Sequence, residues 1–214
     1  MSWEMVDWVY EQRCRRAVEA LKQKGFNAIY CATQEEAAQE ILKAAETADS
    51  IGLGGSMSIK QLKVEEDLKK LGKNILNHNA PGLKPDEILD MQRSQQTCDL
   101  FLTGTNALTL AGQLVNIDGV GNRVAAMIFG PKKVVIVAGR NKIVENTEEA
   151  VKRIKDYAAP ANAQRRGAKT PCATTGFCSD CTSPARICRI TTIIDYCPFK
   201  TDITVLVVNE DMGF

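Results

Sequence analysis

Five cysteines, Cys172, Cys178, Cys181, Cys188 and Cys197, crowd the last fifth of a 214-residue chain, whereas Cys14, Cys31 and Cys98 stand singly in periodic segments. The clustered set reads Cys-x5-Cys-x2-Cys-x6-Cys-x8-Cys-Pro, with Gly, Ser, Asp and Pro between the thiols, where a chain must bend around a bound centre. Four thiolates around one centre is the ligand set of structural zinc and of iron–sulfur clusters. Zinc sites of that kind usually bring two tight Cys-x2-Cys pairs, and only Cys178 and Cys181 make one, so the looser spacing leans toward iron–sulfur. Cys172, Cys178, Cys181 and Cys188 are the expected metal ligands. Cys197 is held in reserve, since a Cys-Pro pair closes ferredoxin-type runs. The expected cofactor is a 4Fe-4S cluster; zinc, or a metal-free loop of reduced thiols, is the alternative. The three scattered cysteines are expected in the core.

A second group of residues suits a small ligand. Gly54, Gly55 and Ser56 follow a short apolar segment directly and precede a helical pattern, the layout in which backbone N–H groups face an anion. Further on, Gly104, Thr105 and Asn106, then Asp118, Gly119, Asn122 and Arg123, form the densest run of glycine and small polar residues in the chain. Gly119 and Gly121 let the backbone approach a ligand, the helix after Gly121 offers N–H groups, and Arg123 offers a bidentate clamp. The plainer reading is a turn at Asp118-Gly119 and a surface arginine. His78, the single histidine, sits in a loop after an apolar segment and reads as a base, a ligand or a solvated loop residue. Lys69-Lys70 and Arg165-Arg166 read as solvated surface. There is no Gly-x-Ser-x-Gly elbow for a serine hydrolase, and Met57 breaks the dinucleotide fingerprint after Gly52.

Four segments carry a resemblance: Asp99 to Thr109, Leu114 to Met127, Phe129 to Val144 and Ala158 to Arg165. Together they resemble the LUD family, a former domain of unknown function that includes lactate-utilisation proteins. Some of its members are also similar to this chain over Thr175 to Cys188. The resemblance implies a three-layer α/β sandwich with a mostly parallel sheet, like that of ribose-phosphate isomerase, glucosamine-phosphate deaminase and the coenzyme A transferases. It also implies a redox-linked subunit or accessory protein in the oxidation of lactate or a similar small organic acid, working with redox partner proteins. In the sugar-phosphate isomerases an acidic residue falls where Asn106 stands here, so isomerase chemistry is not implied. A small anionic organic acid or a phosphorylated ligand is the implied partner. The alternatives are a non-redox sugar-phosphate or acyl-CoA binding protein, and a protein-interaction module.

The elements that must position these residues alternate along the chain. Helical spacing runs over 3–24, 33–47, 59–71, 84–96, 121–129 and 147–158. Strand-like segments fall at 27–32, 50–53, 74–76, 99–102, 114–117 and 133–138, and again at 190–196 and 202–208. This βαβ-like order agrees with an α/β sheet, and the expected organisation is one domain over 1–214 with a cysteine-rich excursion at about 170–190. The two late strands are expected to return to that sheet. With 27 basic and 26 acidic residues the formal charge is +1, too balanced for general nucleic-acid binding. The apolar runs Val134 to Ala138 and Val205 to Val208 fall far short of the ~20 residues of a membrane span. The first residues lack the basic-then-apolar order of a signal peptide, so a cytoplasmic location and reduced thiols are expected.

Overall fold

The computed structural model describes residues 4–214; Met1 to Trp3, including the expected helix start at Trp3, lie outside the described residues. The first half contains α1 (Glu4–Gln23), β1 (Asn27–Cys31), α2 (Gln34–Ala45), β2 (Ser50–Leu53), α3 (Met57–Gln61), α4 (Val64–Lys70), β3 (Asn74–Asn77), α5 (Pro85–Ser94) and β4 (Leu100–Gly104). The second contains β5 (Ala107–Thr109), β6 (Leu114–Asp118), α6 (Asn122–Ile128), β7 (Lys133–Gly139), β8 (Ile143–Val144) and α7 (Thr147–Arg153). It ends with α8 (Ala159–Arg165), α9 (Pro171–Thr175), β9 (Ile190–Ile194) and β10 (Asp202–Val208). Local chemistry starts the helices. Thr33 Oγ1 accepts the Glu36 N–H at the head of α2, while Glu36 reaches back to the Ala32 N–H.

Six strands form one wholly parallel sheet in the order β1-β10-β7-β4-β2-β3. β10 and β7 take interior positions because their apolar runs can be buried on both faces. Alternation along them divides the core in two. Val134, Ile136, Ala138, Val205 and Val207 pack with Ala17 and Leu21 of α1 and Met127 of α6. Val135, Val137, Leu206 and Val208 pack with Ile41 of α2 and Leu68 of α4 on the other face. The architecture is therefore helices on both faces of a parallel sheet. No helix among the described residues is long and apolar enough to cross a membrane.

A second sheet, β8-β5-β6-β9, was not foreseen. It is short, and it alone contains antiparallel pairs, β5 with β6 and β6 with β9. Of the two strands expected to return to the main sheet, β10 does, between β1 and β7, whereas β9 pairs with β6 in the second sheet. Its exposed, half-polar Ile190-Thr191-Thr192-Ile193 face could not have been buried on both sides. Two helices also differ from expectation. The 59–71 segment breaks into α3 and α4 because Lys63 turns left-handed at φ 55. Conversely, the helix expected to end before Pro160 runs on through α8. A widened π turn over Ile154–Ala158 precedes Pro160, and it accommodates a ring that has no N–H and crowds the preceding turn.

Gly54, just past β2, is enclosed: a β-carbon there would stand 2.8 Å from Thr103 Oγ1 and 2.9 Å from Phe101 Cζ, both fully buried neighbours. Gly54→Ala should therefore cost about 1–3 kcal/mol through overpacking, read as a lowered urea midpoint. An unchanged midpoint would show that the β2 turn is looser than described.

Candidate functional site

Four turns meet at the carboxyl ends of the parallel strands. Gly54 to Ser56 follow β2, His78 follows β3, Gly104 to Asn106 close β4, and Lys142 follows β7. That edge is where open α/β sheets hold ligands. The β6–α6 turn of the second sheet supplies the facing wall, Asp118 to Arg123. Gly54, Gly55, Ser56, Gly104, Thr105, Asn106, Asp118, Gly119, Asn122 and Arg123, all singled out from the sequence, line this one pocket of about 420 Å³.

Arg123 is not the free clamp that the sequence suggested. Its Nε donates to Asp118 Oδ1 at 2.9 Å and its Nη2 to the same oxygen and to Asn106 Oδ1. Nη1 donates to the Gly104 carbonyl at 2.9 Å and to Asn116 Oδ1 at 2.8 Å. All five guanidinium N–H groups are thereby used within the protein. Nor does α6 offer its N-terminus to a ligand, since Asp118 Oδ2 accepts the Val124 N–H. Gly119 serves packing: a β-carbon on it would lie 3.1 Å from the Ile187 carbonyl, so its bareness lets the cysteine segment close over β6.

Lys142 and His78 are two pocket groups whose protonation is shifted by burial. Lys142 is 4% exposed and is among the residues that line the pocket, its Nζ donating to Ser58 Oγ at 2.8 Å and the Thr105 carbonyl at 3.0 Å. No carboxylate pairs with it among the described residues. Burial, then the charges of Arg153 and Arg123, pull its pKa down to about 7. His78 Nδ1 lies 3.1 Å from Gln95 Oε1, and Gln95 is fully buried with its amide N–H groups given to the carbonyls of Leu53 and Leu76. That anchoring leaves Gln95 Oε1 only the acceptor role. His78 therefore carries its proton on Nδ1, and Nε2, 3.6 Å from where a Gly55 β-carbon would be, keeps a lone pair. Burial lowers the His78 pKa, which favours that neutral form.

The remaining charge is one-sided. Arg123, Lys142, Arg165, Arg166, Arg186 and Arg189 line the pocket against one acidic side chain, Asp118. Asp118 is taken by Arg123 and Asp180 by Arg186, leaving Lys142, Arg165, Arg166 and Arg189 without a carboxylate partner among the described residues. Arg165 and Arg166 are exposed, as the sequence reading had them, but they stand on the pocket rim rather than on neutral surface. In a chain whose net charge is +1, this is a local excess of cations.

The cysteine loop abuts the pocket. Cys172, Cys178, Cys181 and Cys188 line a small cavity of about 20 Å³, and Arg186, Ile187 and Cys188 belong to both walls. Arg186 braces the loop, donating to the carbonyls of Cys181 and Cys188 at 2.6 Å each and to Asp180 Oδ1 at 2.8 Å. Asp180, left-handed at φ 47, points its N–H at Cys178 Sγ, 3.4 Å away. The donor set and the turn chemistry fit a four-thiolate centre. As it stands, however, no group of three or more His, Cys, Asp or Glu among the described residues is arranged to hold a metal ion. Cys197, the reserve ligand, is elsewhere: its N–H bonds the Lys24 carbonyl and its side chain packs on the core beneath α1. Cys14, Cys31 and Cys98 are buried, and burial raises their thiol pKa values to about 11, about 12 and about 11.

The sequence reading missed Lys142, Gln95 and the rim arginines. Lys142 had one signal, its place three residues past the apolar β7 run, at the edge where loops meet; Gln95 had none.

Two outcomes follow from this geometry. Arg123→Ala leaves Asp118 buried and unpaired, so it should cost about 3–5 kcal/mol of stability by chemical denaturation. A loss under about 1 kcal/mol would mean that the hub is solvated. For Lys142, the folded chain takes its proton near pH 7 and the unfolded chain near 10.5, so between them the unfolded chain holds more protons and stability rises with pH. From pH 7 to 9 that rise should be about 2 kcal/mol in the native chain and absent in Lys142→Met. Parallel profiles for the two proteins would place the lysine in water.

The profile of the LUD domain matches residues 14–208. Among solved structures, a DUF162 family protein from Deinococcus radiodurans superposes with a TM-score of 0.54 at 17% identity, over 93% of this chain and 98% of that one. At that identity the likeness speaks for the fold alone. No curated protein matches the sequence. With the family profile running from α1 to the last strand of the sheet, and so across every turn that forms the pocket, the chain belongs to the LUD domain family.

Proposed function

We propose that the chain binds a small organic anion, lactate or a similar hydroxy or oxo acid, in the basic pocket, and takes part with redox partner proteins in its oxidation. The observation that carries the reading is the charge: three arginines without a carboxylate partner among the described residues, Arg165, Arg166 and Arg189, line one pocket of a nearly neutral protein. Cations crowded without counter-charge are stabilised by an anion, and a site of this size admits a small molecule. Cys172, Cys178, Cys181 and Cys188 would hold a 4Fe-4S cluster, which supplies one-electron transfer when bound. Support for that part is the donor set and the shared wall, since the cavity of the thiols and the pocket both include Arg186, Ile187 and Cys188.

The chain's own residues have distinct tasks in this reading. Arg165, Arg166 and Arg189 hold the carboxylate, and the Arg123 hub keeps Asn106 and Asp118 in place behind it. His78 Nε2 accepts a hydrogen bond from the hydroxyl of a hydroxy acid.

Calorimetric titration with lactate, pyruvate and inorganic phosphate tests the pocket. One of the two acids should bind, and Arg165→Ala with Arg166→Ala should weaken it by about 1–3 kcal/mol. Phosphate binding without either acid would favour a sugar-phosphate or acyl-CoA ligand, and no binding would end the reading. Protein purified without oxygen should absorb in the visible and lose that absorption in Cys178→Ser. Colourless protein holding zinc would assign the loop to structure.

A further inference from the structure

We propose that Lys142 is an amine nucleophile that forms an imine with an anionic carbonyl compound, a 2-oxo acid or a keto phosphate, bound in the basic pocket. This rests on the reading of the pocket as a small-anion site, and it adds a covalent step that the reading does not contain.

The hydrogen-bond inventory makes the case. Lys142 Nζ donates to Ser58 Oγ at 2.8 Å and to the Thr105 carbonyl at 3.0 Å. Ser58 commits its own hydrogen to the Met212 carbonyl at 3.2 Å, so its oxygen must be the acceptor for Nζ. A neutral amine has two N–H groups and one lone pair. Both N–H groups are placed, and the lone pair remains. A protonated Nζ would carry a third N–H with no protein acceptor. The charged groups facing it are also cations, Arg123 from α6 and Arg153 from α7, the latter tied to the carbonyls of Asn141 and Asn106. A lysine desolvated beside other cations is the setting in which the amine acts as a nucleophile at neutral pH.

The step balances without an oxidant. The Nζ lone pair attacks the carbonyl carbon and the C=O π pair moves to oxygen. One proton passes from nitrogen to that oxygen through solvent in the pocket. A second proton, from solvent, lets the hydroxyl leave as water while the nitrogen lone pair closes C=N. The product is cationic, and the surroundings that disfavour an ammonium disfavour an iminium equally. The ligand must therefore bring its own negative charge, and Arg165, Arg166 and Arg189 stand on the rim to hold it.

The test uses the full chain with pyruvate, dihydroxyacetone phosphate and, as the uncharged control, acetone, each with cyanoborohydride at pH 7, followed by intact mass and peptide mapping. Lys142 should be modified at least about tenfold faster than any exposed lysine by one of the two anionic ketones, with acetone slower by a similar factor. Which ketone reacts distinguishes carboxylate from phosphate recognition. Lactate, which has no ketone carbonyl, should protect the native chain, and Lys142→Met should yield no adduct above the background of exposed lysines. Because that variant removes two hydrogen bonds, the native chain gives a second readout: trapping should rise with pH through a midpoint near 7, not near 10. Adducts spread evenly over exposed lysines would overturn the proposal. So would an anionic ketone that binds by calorimetry yet leaves Lys142 unmodified, an outcome that spares the anion-site reading. If neither ketone binds but lactate does, the covalent step alone falls; if none of the three binds, both fall.

Discussion

Arg123 ties two sheets together through a single side chain. From the first turn of α6 it reaches the Gly104 carbonyl at the end of β4 in the main sheet, Asn116 and Asp118 on β6 in the second, and Asn106 in the turn between them. A fork of five N–H groups in one plane accepts only one relative placement of these partners, so the guanidinium sets the gap between the sheets. That gap is the pocket. The asparagines reinforce it: Asn106 Oδ1 accepts the Ile117 N–H at 3.0 Å while Asn116 Oδ1 accepts the Asn106 N–H at 3.1 Å, a reciprocal pair across the turn. In the low dielectric of the interior such a network is stiff and a missing member is costly, although Asn116 Nδ2 is buried without a partner among the described residues.

With Arg123 committed to structure, the pocket's positive character comes from groups that the fold leaves without counter-charge. Arg165 and Arg166 are brought in by the end of α8 and Arg189 by the approach to β9, while the end of β7 places Lys142 among them. The π turn ahead of Pro160 matters here, because without it the helix would stop before reaching the rim. Arg186 then joins the pocket to the cysteine loop by bonding the carbonyls of Cys181 and Cys188. Anything that reshapes that loop, whether metal binding or thiol oxidation, acts directly on a wall of the pocket.

Much of the architecture was legible because parallel strands buried on both faces leave long apolar runs, as at Val134 to Ala138 and Val205 to Val208. The second sheet was not, because its strands are short and half exposed and their pairing joins Leu114 to Ile194 across 80 residues. Glycine and small polar residues at strand ends marked ten pocket positions, since turn chemistry is local. Roles were less legible than places. Arg123 read as a clamp because its four partners are tertiary facts, and Lys142 read as nothing because burial of a lysine is not written in its neighbours. Gln95, which fixes the tautomer of His78, lies 17 residues from it and shows no pattern at all.

The account depends most on an amine that is neutral in the folded protein and opens on a cationic pocket. The most direct measurement is an NMR titration of the native chain labelled at the lysine side chains, with Lys142 assigned by its absence in Lys142→Met. The account predicts that Lys142 titrates near 7 while the exposed lysines stay near 10.5, and that a bound anion moves the Lys142 midpoint upward. A Lys142 midpoint alongside the exposed lysines, unmoved by any anion, would contradict it.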